Sequence, residues 1–190
     1  MSIPVRGGRD HIGPAAVGAS LAPRAAAFVS WGWRFLPLRP HGKEPHTDLL
    51  RDLYGDSRIA QLRDAPALPA EIDYWFELEP RINLGVFACH EARLVIVDAD
   101  HPSLLSVDFE TPTVASGRAG GGRHFYFASE SRVTMTMCSW GHVNPPYVVF
   151  PGSVHPNGTV YEWLPNRAPE EIGFMPFEKA APALGLASGV

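Results

Sequence analysis

Two aspartates one residue apart, Asp98 and Asp100, close the segment LVIVDAD. The apolar run before them reads as a buried strand. Side chains alternate across a strand, so both carboxylates leave the same face, roughly 7 Å apart. Two like charges at the end of a hydrophobic segment repel unless a cation sits between them. Hard divalent ions such as Mg²⁺ take oxygen ligands of this kind. A plainer use also suits these residues: Asp98 opens a turn and Asp100 caps a helix starting at His101-Pro102. One cap needs only one aspartate, however, and the other keeps its same-face spacing.

The next segment with chemical potential is SGRAGGGRHFYF. Gly117, Gly120, Gly121 and Gly122 surround Arg118. A backbone this free of side chains can approach phosphate oxygens closely, with Arg118 and Arg123 as cationic partners. The bland alternative is a loose hairpin loop. A Walker A loop is excluded, because the Lys-Ser/Thr pair and its following helix are absent. His124 then opens a strand of alternating aromatic residues. Further on, YVVFPGSVHPNGTVYEW leads a buried strand into Ser153 and His155, again at same-face spacing. Both suit a phosphate or a sugar, and both equally suit the turn before Asn-Gly. Arg39 and Lys43, in PLRPHGKEP, are candidates for phosphate contact, or ordinary solvated charges.

The elements that must position these residues are readable in outline. A Gly/Pro/Ala-rich tail is expected over residues 1–20. A helix follows in SLAPRAAAFVSWGW, with Ser20 near its cap and Pro23 in its first turn. RFLPL gives a short strand, and LPAEIDYWFELEP a second helix whose Ile72, Trp75 and Phe76 share a face and which Pro80 stops. Short strands come after it: INLGVFA, RLVIVDAD, PTVAS, RHFYFA, PYVVFPG and TVYEWL. KAAPALGLASGV reads as a linker over residues 179–190, towards a possible further domain. Helices early and strands late imply an α+β fold, with an α/β front half and a mostly antiparallel back half.

Composition narrows the classes. Hydrophobic residues are 45% and charged residues 19% of 190, a globular balance. Net charge is −4, so any nucleic-acid contact must come from a local concentration of the sixteen Lys and Arg. Cys89 and Cys138 form no CxxC pair, which argues against a zinc ribbon or a disulfide framework. No apolar run approaches the ~18 residues of a membrane span, and no secretory h-region opens the chain. A reducing, cytoplasmic setting is the expectation.

The order of these segments resembles the N-terminal domain of bifunctional DNA primase–polymerases. This is the prim-pol branch of the archaeo-eukaryotic primase superfamily, common in phages and plasmids. PLRPHGKEP, EIDYWFELEPRINLGVF, the acidic pair, the Gly loop into His124, and the strand into S-x-H-P follow one another over about residues 28–164. The resemblance implies an α/β module and an RRM-like module meeting at a cleft, within one catalytic domain over 21–178. It implies that Asp98 and Asp100 hold catalytic divalent metals, Mg²⁺ or Mn²⁺ in a two-metal site. His124 would contact the incoming triphosphate, with Arg118 and Arg123 orienting phosphates. Ser153 and His155 would belong to the nucleotide site. The partners implied are DNA template and primer, nucleoside triphosphates, and a downstream helicase domain or replicative helicase.

Two departures stand out. The glycine loop is longer than is usual before the histidine. The third acid usually found shortly before the YVV strand is missing, with Cys138 or Ser139 in the expected place. Fewer carboxylates would then hold the metal, or Asp108 or Glu110 would substitute, or activity would be reduced. The rivals are a catalytically degenerate primase domain that binds nucleotide or DNA, and a metal-dependent nuclease or relaxase-like initiator. The second needs a nucleophilic Tyr or a His-hydrophobe-His pair, which HFYF does not supply.

Overall fold

Leu21, Ala22, Ala25 and Phe28 recur at helical spacing and all are buried. They form the inner face of α1 (Pro14–Val29), in a computed structural model that describes residues 14–118 and 120–186. The helix starts ahead of the expected Ser20 cap, so Pro23 lies inside it and residues 14–20 of the expected tail are helical, while residues 1–13 lie outside the described residues. β1 (Arg34–Leu38) follows, then α2 (Thr47–Tyr54), α3 (Ile59–Asp64) and α4 (Pro69–Leu78). Pro69 begins α4, the Leu68 N–H donates to Glu71 Oε2 at 2.8 Å, and Ile72, Trp75 and Phe76 are buried on one face as their spacing requires.

The remaining elements are β2 (Asn83–Phe87), β3 (Leu94–Ala99), α5 (Pro102–Leu105), β4 (Thr113–Ala115), β5 (Arg123–Ala128), β6 (Thr136–Cys138), β7 (Gly141–Val143), β8 (Val148–Val149), β9 (Glu162–Trp163) and α6 (Phe177–Ala180). They build two sheets, ordered β1-β2-β8 and β6-β7-β3-β5-β4-β9, and every pairing between these strands is antiparallel. The protein is therefore α+β.

Residues of α1, α4 and the three-stranded sheet share one hydrophobic core with Leu94, Ile96, Val114 and Tyr126 of the larger sheet. Trp33 stacks on Tyr126 there, centroids 5.5 Å apart and nearly parallel. The opposite face of the larger sheet carries a second core, with Val95, Val97, Ala99, Phe125 and Phe127 packed on Phe177. This second core explains why the presumed linker does not start at residue 179. Ala180, Ala181 and Leu184 are buried in it, and Trp140 Nε1 donates to the Leu184 carbonyl at 3.0 Å. Residues 187–190 lie outside the described residues.

Candidate active site

β3 is buried on both faces until its last residues. Leu94 and Ile96 face the first core, Val95, Val97 and Ala99 the second. Asp98 continues the Leu94–Ile96 face, and its strand neighbours fix what surrounds it. His124 of β5 pairs with it on one side and His142 of β7 on the other. Directly opposed residues project to the same face of a sheet, so the three side chains form a row. Asp98 Oδ1 lies 3.5 Å from His124 Nε2. Gly141 makes the β7 approach possible: a Cβ there would lie 1.9 Å from the Asp98 carbonyl oxygen.

Asp100 sits one residue past β3, its N–H donating to the Trp140 carbonyl at 2.9 Å. Neither aspartate caps α5; His101 does that, its Nδ1 accepting from the Ser103 N–H at 3.2 Å. The helix-cap use of Asp100 is thereby removed. Its carboxylate pairs instead with Arg118 from the glycine loop.

Asp98, Asp100, Arg118 and His124 line one cavity of about 110 Å³, together with Lys43, Ser116, Tyr161 and the 147–149 segment. Its walls come from both sheets. His124 is only 5% exposed, and burial pushes its imidazole below the usual histidine range against the opposing pull of Asp98. Its Nδ1 has no hydrogen-bond partner, nor has the buried Ser116 Oγ. Two unpaired buried polar atoms on residues lining one small cavity require a reason, since such groups are normally satisfied. Gly122 leaves room for the Ser116 hydroxyl: a Cβ at that position would lie 2.3 Å from it. The Tyr161 ring lies 5.7 Å from that of His124 and 5.8 Å from that of His155. Burial pushes the Tyr161 hydroxyl far up, so the ring is a neutral wall.

Other sequence-derived candidates stand apart. Arg123 precedes His124 on β5 and so leaves the opposite face; its guanidinium donates to the Gly122 carbonyl at 3.1 Å, outside the cavity lining. Ser153, 1% exposed, accepts from the Leu84 N–H at 3.0 Å and ties the loop after β8 to β2. His155 accepts from the Asn157 N–H at 3.2 Å, a turn contact. Arg39 is held by Asp48 at 2.6 Å, whereas Lys43 lines the cavity.

The position beside Asp98 is filled by His142, not by Cys138 or Ser139. Cys138 lies on β6, one strand further out, in the row of Gly141 and Ala99 on the other face. Asp108 pairs with Arg167 at 2.6 Å, and both Asp108 and Glu110 line a different cavity. Neither replaces the missing acid. Sequence reasoning passed over His142, Ser116 and Tyr161; for His142 the only available signal was its place between Gly141 and the buried Val143.

Antiparallel sheets thus set two carboxylates, a buried imidazole and two cations around one cavity. The chain matches the family described as Bifunctional DNA primase/polymerase, N-terminal, over residues 25–176, and it belongs to that Prim-Pol family. It is thus a nucleotidyltransferase-type domain of the DNA primase/polymerase class, whose substrates are DNA and nucleotides. No curated protein matches the chain. No helix among the described residues is long and apolar enough to cross a membrane.

Proposed function

We propose that the chain performs template-dependent nucleotidyl transfer from nucleoside triphosphates at the Asp98–Asp100–His124 cavity, starting or extending primers. The observation carrying this reading is that one cavity between the two sheets is lined by both carboxylates, the His124 imidazole and the cations Lys43 and Arg118.

The donor set fits a hard divalent cation. Among the described residues no group of three or more His, Cys, Asp or Glu is arranged as a metal cage. Mg²⁺ needs no such cage, because it binds through one or two carboxylates plus water and substrate phosphates. Asp98 and Asp100 would hold the ion, with His142, which like His124 stands opposite Asp98 in register, as a nitrogen donor from outside the cavity lining. When bound, the ion supplies Lewis-acid activation of a primer 3′-hydroxyl and neutralises triphosphate charge.

Lys43 and Arg118 balance the remaining phosphate charge. Arg118, now on Asp100, must exchange that partner for phosphate as nucleotide arrives. His124, held neutral by burial, offers a hydrogen bond to a phosphate oxygen in a site of low dielectric. These contacts position the reacting groups more than they move protons. Elongation of a labelled primer on a template, with each of the four nucleotides supplied alone, tests the reading. Incorporation must follow the template base. Binding of nucleotide without incorporation would favour the degenerate domain, which the missing third acid supports.

A further inference from the structure

A second and larger cavity, about 520 Å³, shares Tyr147 with the candidate active site. Arg34, Arg63, Arg93 and Arg132 line it against only Asp64 and Glu91. A net positive lining in a chain of charge −4 is a local reversal of sign, the electrostatic mark of an anionic occupant.

The four guanidiniums are unequal. Arg34 is 13% exposed and anchored, donating to the Arg63 carbonyl at 2.6 Å and pairing with Glu91 at 3.2 Å. Its Nε is buried with no partner. Arg93 pairs with Glu130 and Arg63 with Asp64, but all four of those side chains are largely exposed. Exposed pairs of this kind contribute little and exchange readily. Arg132 is exposed and joins no ion pair among the described residues. Three arginines are therefore available to phosphate groups, and the fourth is fixed beneath them.

Tyr147 gives direction. Its hydroxyl donates to the Lys43 carbonyl at 3.0 Å, and Lys43 itself lines the active-site cavity. A polymer lying in one cavity is led past the Tyr147 ring into the other. Cationic grooves with an aromatic surface are how single nucleic-acid strands are held without sequence preference.

We propose that the arginine-lined cavity holds a single nucleic-acid strand, led past Tyr147 to the Asp98–Asp100 site; this rests on the nucleotidyltransferase reading. The test uses the full chain and fluorescence anisotropy of a labelled single-stranded 12-mer over a salt series. Arg93→Ala/Arg132→Ala should weaken binding at least tenfold at low salt. It should also flatten the plot of log affinity against log salt by roughly 1.4, about 0.7 for each lost phosphate contact. Arg24→Ala, an exposed α1 position outside both cavities, should bind as the wild type does. Wild-type affinity and slope in the double variant overturn the proposal. So does an equal loss in Arg24→Ala, an absence of 12-mer binding, or a dinucleotide that competes as tightly as the 12-mer, which would mark a small-anion site. If strand binding depends on Arg93 and Arg132 but no nucleotide is incorporated, the transferase reading fails and this one stands.

Discussion

His142 and Asp98 stand directly opposite each other on β7 and β3 and leave the sheet on the same face. The position next to the metal-binding aspartate of the proposed site is thus an imidazole, while the third carboxylate expected from the family resemblance at Cys138 or Ser139 is absent. An imidazole donor favours Mn²⁺ and later first-row ions over Mg²⁺, which prefers oxygen.

Extension should accordingly run faster with Mn²⁺ than with Mg²⁺. His142→Asp should narrow that difference by raising the Mg²⁺ rate, whereas Cys138→Asp, on the opposite face, should not. Rates with each metal, together with Mn²⁺ affinity from paramagnetic water relaxation, check this. A gain from Cys138→Asp and none from His142→Asp would contradict it.

His124→Ala should weaken nucleotide binding about 10- to 100-fold, the loss of a hydrogen bond to a charged group. Oligonucleotide affinity should stay near the wild-type value. Titrations of each ligand separate the two effects, and a selective loss of oligonucleotide binding would remove His124 from the triphosphate.

Ser153→Ala should cost stability, not nucleotide affinity. The substitution strands the buried Leu84 N–H, and such an orphan costs about 1–3 kcal/mol. Urea unfolding should show the loss, while the nucleotide dissociation constant of the folded variant stays within about twofold, a free-energy difference of only ~0.4 kcal/mol.

Gly141→Ala should disturb stability and metal response together. The glycine has φ +146°, and an added Cβ would meet the Asp98 carbonyl. β7 must then move from β3, taking His142 with it. A variant that unfolds at the wild-type urea midpoint and keeps its Mn²⁺ preference would show that this close approach is not required.

Much of this site was legible because its strands announce themselves. LVIVDAD is apolar on both faces, so its aspartates had to sit at the end of a buried central strand. RHFYFA is nearly as plain, and it is the strand that pairs with β3. The same alternation argues against Arg123 as a partner of His124, since neighbours on a strand point to opposite faces. β6 and β7 were not legible: three residues each carry no period, and their place beside β3 is set by tertiary pairing. Ser153 and His155 drew notice through their spacing, but their partners, Leu84 and Asn157, show them supporting the loop. The tail at 179–190 looked like a linker because Ala, Pro and Gly dominate it. Small apolar residues are also what fits closely over the Phe127–Phe177 core.

Template-primed extension with Mn²⁺, comparing the wild type with Asp98→Ala/Asp100→Ala, addresses the central claim most directly. The wild type should add templated nucleotides. The double variant, whose changes lie at partly exposed positions at the end of β3, should keep its thermal unfolding transition and add none. Extension by the folded double variant at the wild-type rate would show that the chemistry does not depend on these carboxylates.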